Sequence, residues 1–309
     1  MTSLQQTMPA PAMTARSWTM LVFLGLIWGG SFFFARIAVA EMPPLVLVMF
    51  RVAIAALALH VYLAVAGPSF RLAFAHTRLL VLLAIVNNLI PFSLIFLGQT
   101  VLGAGLASVL NATTPFWTLI LANAMTGDEK LSAAKLAGVG LGIAGTAIMI
   151  GPGLGAGLGG PIWAKCALIG ASISYAFALM VAKRLKGVPP AVIATGQLTV
   201  STAIMIPVIL LAYGPAVLSG YTPGVWTAVV SLALLSTAVA YLLFFRIVRD
   251  AGATNASLVT LIVPVSAVLL GATFLGERLD WIETLGMAVI ACGLVAIDGR
   301  LIARLRARF

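Results

Sequence analysis

Long apolar stretches alternate along this chain with short turns that are polar or rich in Gly and Pro. A helix needs about 20 apolar residues to cross the roughly 30 Å hydrocarbon layer of a membrane. Ten stretches reach or approach that length, and we expect each of them to form a membrane-spanning helix. They cover residues 18–39, 44–66, 78–98, 103–124, 133–151, 162–182, 191–213, 224–246, 253–275 and 281–298.

The second half of the chain repeats the pattern of the first. Residues 103–127 align without gaps with residues 252–276, so that Pro115 meets Pro264, and "EKLS" then meets "ERLD". Because the repeated unit holds five helices, an odd number, the second copy must cross the membrane in the opposite direction. Inverted repeats of this kind are typical of secondary transporters, whose solute site lies near the midplane between the two copies.

These observations predict an all-α membrane protein of ten transmembrane helices, arranged as two inverted five-helix repeats around a central cavity. The predicted divisions are an N-terminal tail 1–17, a first repeat 18–151, a Gly-rich linker 152–161, a second repeat 162–298 and a basic C-terminal tail 299–309.

Composition and charge support a lipid environment. Hydrophobic residues make up 62% of the chain and charged residues 8%, with a mean hydropathy of +1.14, whereas soluble domains carry about 25% charged residues. The net charge of +10 does not indicate a nucleic-acid partner, because no basic stripe accompanies it. With the N-terminus inside, fourteen Lys and Arg residues fall on the inner side and three on the outer side, which predicts that both termini are cytoplasmic.

Three of the prolines inside predicted spans lie beside polar residues, and each leaves the carbonyl four residues earlier without its helical donor. Broken backbone is tolerated at membrane depth only where it faces protein or a watery cavity, so the three sites are candidate hinges lining a central path. The alternative is a structural kink whose free carbonyl is satisfied by a nearby Ser or Thr. The prolines are Pro91, Pro115 and Pro264, and the freed carbonyls belong to Asn87, Asn111 and Thr260.

A charged side chain inside a span is expensive and is therefore a functional candidate. Arg51 lies within the second span, where it could bind a carboxylate, extend toward the outer surface, or pair with Glu41. No Asp or Glu falls in the central part of any span. The sequence thus lacks the carboxylate relay that proton pumps use, which favours facilitated diffusion or coupling by other means.

Aromatic and amide side chains within the spans could line a solute cavity. Trp28 and Tyr175 lie at matching places in the two repeats and could stack on an apolar or aromatic ligand. Packing within the core is the alternative for both. For Trp163 the alternative is a position at the membrane interface. The full set of cavity candidates is Trp28, Arg51, Asn87, Asn88, Phe92, Asn111, Trp117, Trp163, Tyr175, Ser236, Tyr241 and Thr260.

Other patterns concern assembly and catalysis. The fifth and tenth spans, with "AGVGLGIAGTA" and "GMAVIACG", carry the small residues that allow close contact between helices. The chain shows no nucleophile elbow, metal-ligand cluster or phosphate-binding lysine motif. We therefore expect neither an enzyme nor a bound metal or cofactor, and an intramembrane enzyme is the disfavoured alternative.

Several segments together resemble the EamA units of the drug/metabolite transporter superfamily: "GLIWGGSFFFARIA", "PLVLVMFRVAIAAL", "GAGLASVLNATTPFWTLILA" and "GATNASLVTLIVPVSAVLLGATFLGERL". The resemblance covers about residues 20–298. It implies that spans 1, 3, 4, 6, 8 and 9 surround the cavity, and that the protein exports small metabolites through a bacterial inner membrane. Within the superfamily the chain is most similar to the YddG-like group of aromatic amino-acid exporters. Drugs, purines and other metabolites are the alternative solutes, and the oligomeric state stays open.

Overall fold

The computed structural model describes residues 14–125, 133–150 and 160–298. The predicted N-terminal and C-terminal tails and the Gly-rich linker lie almost entirely outside these ranges. Ten helical segments follow one another within them. They are α1 (Ala15–Ala38), α2 (Pro44–Ala66), α3 (Thr77–Leu83, a π-turn Ala84–Leu89, and Ile90–Gln99), α4 (Ala104–Asn111 and Thr114–Met125), α5 (Ala133–Ile150), α6 (Ile162–Ala182), α7 (Pro190–Tyr213), α8 (Pro223–Ala233, a π-turn Leu234–Val239, and Ala240–Ala251), α9 (Ala253–Ala256 and Val259–Phe274) and α10 (Trp281–Asp298).

The length and hydropathy of these helices suit a membrane. In the described part of the chain, seven helical segments are long and apolar enough to cross one, and α5, α9 and α10 contribute three shorter apolar helices. The ten-helix, all-α architecture predicted from the hydropathy pattern is confirmed.

Helix ends follow local backbone chemistry. α2, α7 and α8 each begin with a proline, Pro44, Pro190 and Pro223, because the first turn of a helix does not need the N–H that proline lacks. α8 ends at Gly252, which adopts a φ of 84°, a left-handed conformation that glycine enters without a steric penalty. This turn passes the chain directly from α8 into α9.

Helix packing divides the molecule into a central group and two flanking pairs. α5 packs along α10 more extensively than any other described pair, and α2 packs along α7. Between these pairs, α1 contacts α9 and α8, α6 contacts α3 and α4, and α4 contacts α9. The central group is therefore formed by α1, α3, α4, α6, α8 and α9, the same six spans that the family resemblance implies around the cavity.

The third helix of each repeat contains a π-turn at the same place. Ala84–Leu89 lies in α3 and Leu234–Val239 lies in α8. In α3 the turn comes directly before Pro91, whereas α8 has no proline near its π-turn. Because π-turns inside α-helices widen the helix locally and often mark functional sites, the repeat places two such distortions at equivalent positions in the central group.

The helix breaks in α4 and α9 differ from the matched pattern that the sequence suggested. α4 is interrupted at Ala112 and Thr113, so that Pro115 is the second residue of the second helical piece. In α9 the interruption comes at Ser257 and Leu258, and Pro264 lies inside the continuous helix Val259–Phe274. A proline near the start of a helical piece needs no hydrogen bond there, so equivalent prolines do not impose equivalent breaks.

Candidate functional site

Arg51 is a buried charged side chain that contacts two helices of the central group, α3 through Phe92 and α8 through Thr237. It lies in α2, seven residues after Pro44, and is only 7% exposed. Its Nε donates to Thr237 Oγ1 over 3.0 Å, and the guanidinium carbon lies 3.8 Å from the centre of the Phe92 ring. Its two amino groups bond to no group among the described residues, yet they are not sealed inside the protein. They therefore keep some accessible surface, although the side chain as a whole is buried.

A second contact repeats this one across the pseudo-twofold axis. Gln197 lies in α7, seven residues after Pro190, and its Oε1 accepts from Asn87 Nδ2 over 3.0 Å. Thr237 and Asn87 are each the fourth residue of their π-turn. Each repeat thus joins its second helix to the π-turn of the other repeat, once through an arginine and once through a glutamine.

Two tyrosines complete this arrangement. Tyr241 Oη lies 3.4 Å from Asn87 Nδ2, and both Tyr241 and Tyr175 lie within electrostatic range of Arg51. We call this group the Arg51 cluster. Its members are Arg51, Asn87, Phe92, Tyr175, Gln197, Thr237 and Tyr241.

The cluster offers a cation, aromatic faces and neutral polar atoms, and no carboxylate. Thr237 also donates to the carbonyl of Leu232, five residues earlier in α8, over 3.0 Å, so its hydroxyl oxygen is fixed as the acceptor for Arg51. A guanidinium presents paired donors that match the two oxygens of a carboxylate or a phosphate. The arrangement can therefore hold an anionic group beside aromatic surface.

The other candidate cavity residues lie outside this cluster. Trp28 packs on Phe244 at a ring distance of 5.4 Å, and Ser236 donates to the carbonyl of Ile27, which joins α8 to α1. Asn88 is fully buried and donates to Ser201 in α7, but its Oδ1 has no partner. Trp163 is 48% exposed at the start of α6.

Three further candidates lie on the interrupted helices. The Nε1 of Trp117 donates to Thr113 Oγ1, and the hydroxyl of Thr260 donates to the carbonyl of Ser257. The Oδ1 of Asn111 is buried without a hydrogen-bond partner. Trp117 and Thr260 thus make local contacts within α4 and α9. Among the described residues, no hydrogen bond joins any of the three side chains to the Arg51 cluster.

Serine and threonine hydroxyls satisfy the carbonyls next to two of the prolines. The carbonyl of Asn111 accepts from Thr114 over 2.8 Å and from Ser172 over 3.2 Å. In α3, the carbonyl of Val86 accepts from Ser174 over 2.7 Å. For Pro115 this geometry corresponds to the structural-kink alternative, since Thr114 and Ser172 replace the donor that proline lacks. In α3 the bonded carbonyl is that of Val86, five residues before Pro91, and not that of Asn87, which the sequence predicted to be freed.

Carboxylates hold the helix ends that the sequence places on the outer side. Glu277 accepts from the backbone N–H groups of Ala104 and Gly105, and so caps the start of α4 from the other repeat. Glu41 accepts from both the backbone N–H and the hydroxyl of Thr222. Glu41 is therefore engaged away from Arg51, and the pairing of those two residues considered from sequence is not formed.

Two cavities lie at this same end. One of about 620 Å³ is lined by Arg36, Glu41, Thr100 and Glu277 among others. The other, of about 490 Å³, lies against Gly105, Glu277 and the start of α10. Neither is lined by a member of the Arg51 cluster.

Comparison with known proteins identifies the family of this chain. The model of the EamA-like transporter family matches twice, over residues 16–151 and 162–297. The chain belongs to the EamA-like transporter family. It is accordingly a multi-pass membrane transporter and not an enzyme.

Among curated relatives, the uncharacterized inner membrane transporter YedA of Escherichia coli K12 is 28% identical over 281 residues, covering 90% of this chain and 89% of YedA. The probable amino-acid metabolite efflux pump of the same organism is 25% identical and covers 91% of this chain and 94% of its own length. A solved crystal structure superposes with a TM-score of 0.63 at 18% identity, covering 94% of this chain and 99% of the other. At that identity the likeness concerns the fold alone.

Two members of the Arg51 cluster, Gln197 and Thr237, were not among the cavity candidates from sequence. The sequence marks both only as mid-span polar residues that could bond to a small polar solute, and Gln197 alternatively as glue between helices. A signal for Gln197 was nonetheless present, because Gln197 follows Pro190 at the same spacing as Arg51 follows Pro44. The sequence does not distinguish Thr237 from the other polar residues of α8, because its contact with Arg51 depends on a π-turn that has no proline beside it.

Proposed function

We propose that this chain exports small carboxylate-bearing metabolites, chiefly amino acids with aromatic or other apolar side chains, through the bacterial inner membrane. The observation that carries the proposal is the buried guanidinium of Arg51, whose two amino groups have no hydrogen-bond partner among the described residues and keep some accessible surface. The names of relatives support it in part, since one is named a probable amino-acid metabolite efflux pump and another an inner membrane transporter.

Retaining a charge in this position is costly. An ionised side chain taken out of water loses several kcal/mol unless it is paired. Among the described residues, Arg51 donates only one hydrogen bond, to the neutral hydroxyl of Thr237, and lies over the faces of Phe92 and Phe96. A carboxylate bound to the two free amino groups would supply the missing pairing. The ring of Phe92 and the side chains of Tyr175 and Tyr241 would contact the apolar remainder of the solute.

The transport cycle follows from the two matched contacts. In an inverted-repeat transporter, one repeat moves against the other around a central site. The contacts Arg51–Thr237 and Gln197–Asn87 both join one repeat to the other, and they flank the proposed site. We infer that these contacts strengthen and weaken in turn as the site opens to each side, with both termini in the cytoplasm.

The test is counterflow of labelled solutes in proteoliposomes. Phenylalanine and tryptophan should exchange, and adenine, which has no carboxylate, should not. A hydrogen bond to a charged group contributes about 1.5–3 kcal/mol, so Arg51→Gln should weaken the apparent affinity for phenylalanine by about 10- to 150-fold. Arg51→Lys keeps the charge but not the paired donors, so its affinity for phenylalanine should lie between those of the wild type and of Arg51→Gln.

Arg246→Gln is the matched control, because it removes one arginine charge from a side chain that is 49% exposed near the end of α8. It should leave the affinity for phenylalanine unchanged. Wild-type affinity in Arg51→Gln, or equal exchange of adenine and phenylalanine, would contradict the proposed carboxylate site.

A further inference from the structure

The carboxylates of the described chain are all engaged away from the Arg51 cluster. Five have described side chains. Glu41 binds Thr222, Glu277 caps α4, and Asp250 lies next to Arg246 and Arg249. Asp280 and Glu283 form the cap at the start of α10. No described carboxylate is therefore bonded to Arg51.

The other buried cation of the described residues, Lys165, has different surroundings. Lys165 is fully buried in α6, its Nζ donates to the carbonyl of Met149 over 2.6 Å, and Glu283 lies within electrostatic range. Lys165 thus has an acidic neighbour and the negative end of α5. Arg51 has a hydroxyl and aromatic rings, so its charge of +1 is left uncompensated.

The uncharged polar atoms of the Arg51 cluster offer few hydrogen-bond acceptors to an ammonium group. Its available acceptors are the Oδ1 of Asn87, which accepts no hydrogen bond from the described residues and is not fully buried, and the phenolic oxygens of Tyr175 and Tyr241. These atoms are uncharged, and a cation there would lie within range of Arg51 itself. Desolvating a charged amine is costly where no carboxylate pairs with it, so a zwitterion would satisfy Arg51 and leave its own ammonium poorly accommodated.

Resting on the proposed function, we propose that, among the carboxylates it exports, the site prefers those of net charge −1 over zwitterionic amino acids, and that export of these anions is electrogenic. A monoanionic carboxylate with an aromatic or apolar body neutralises Arg51, and the loaded site then carries no net charge. One negative charge leaves the cell with each solute, and the inside-negative membrane potential drives that movement. Export then needs neither a proton relay nor a coupling ion.

The driving force is large. Moving one elementary charge through 100 mV corresponds to a concentration ratio of about 50 at equilibrium. A zwitterion carried alone gains nothing from the potential, so its ratio stays at 1.

The experiment compares N-acetyl-L-phenylalanine with L-phenylalanine in proteoliposomes whose potential is set by potassium gradients and valinomycin. The two probes share the side chain and the carboxylate, and only phenylalanine carries an ammonium group. At 100 mV, inside negative, the monoanion should distribute about 50-fold toward the outside, and at zero potential its ratio should be 1. The wild-type protein should also bind the monoanion at least 10-fold more tightly than phenylalanine.

The variants separate charge selection from folding. Arg51→Gln should lose the preference for the monoanion while the protein still binds tryptophan or phenylalanine weakly, and Arg246→Gln should keep the preference. Liposomes without protein give the passive leak.

Each outcome bears on one claim or the other. If the monoanion is carried but its ratio does not follow the potential, or if only phenylalanine is carried, the electrogenic inference is wrong and the export of carboxylates stands. Potential-dependent accumulation of phenylalanine would indicate a coupled ion and would also overturn the inference. If neither carboxylate is carried, the proposed function itself fails.

Discussion

The contact between α5 and α10 depends on glycines, and it makes a quantitative prediction. A Cβ placed on Gly145 would lie 2.8 Å from the carbonyl oxygen of Gly286 and 2.9 Å from the backbone nitrogen of Ile290. A Cβ placed on Gly140 of the same helix would meet nothing within 4 Å. The two positions therefore differ in the space available and share the same helix.

The expected cost follows from that geometry. In Gly145→Ala, backbone rather than a flexible side chain opposes the new methyl group, so α5 and α10 must move apart along their contact. Overpacking of this kind costs about 1–3 kcal/mol. Both substitutions gain the same intrinsic helix preference of alanine over glycine, roughly 0.5–1 kcal/mol. The difference between Gly145→Ala and Gly140→Ala therefore isolates the packing cost.

The measurement is the free energy of unfolding of the purified variants in one detergent, from titration with a denaturant. Gly140→Ala should be as stable as the wild type or slightly more stable. Gly145→Ala should be less stable than Gly140→Ala by about 1–3 kcal/mol, a factor of about 5 to 150 in the unfolding constant. Equal stability of the two variants would show that the close α5–α10 approach does not stabilise the protein.

Three further changes test other parts of the structure. Glu277→Ala removes the carboxylate cap of α4 and should cost about 1–2 kcal/mol of stability, measured by the same titration; no loss would mean that water replaces the cap. Thr237→Val removes the acceptor of the Arg51 Nε and should raise the KM of counterflow for phenylalanine less than Arg51→Gln does; a larger rise would place Thr237 itself on the solute. Trp28→Ala should lower the transport rate more than the amount of protein in the membrane, and an equal loss of both on immunoblots would assign Trp28 to packing.

The hydropathy pattern alone determined the ten helices and their repeated order. Each span must be apolar over about 20 residues to cross the hydrocarbon layer, and this requirement is met within the segment itself. The small residues of α5 and α10 likewise predicted a close contact, and Gly138 does approach the carbonyl of Gly293, to which a Cβ would lie at 2.8 Å. These features follow from short stretches of chain and from the solvent around them.

The candidate site could be predicted only in part. Arg51 was recognisable from sequence, because a charge within an apolar span is rare and costly. Its hydrogen bond to Thr237 was not predictable, because Thr237 lies 186 residues away and meets Arg51 through a π-turn that has no proline beside it. The matched prolines also suggested matched breaks, and the structure placed the interruption of α9 before Pro264 instead.

What the sequence determined by itself is which segments enter the membrane, because burial in lipid depends on the composition of each segment. What only the tertiary structure decided is where the distortions fall and which polar groups meet. A serine of α6 satisfies a carbonyl of α3, and a glutamine of α7 meets an asparagine of α3. Hydrogen bonds between helices depend on the register of packed surfaces, and that register arises only when both repeats are folded together.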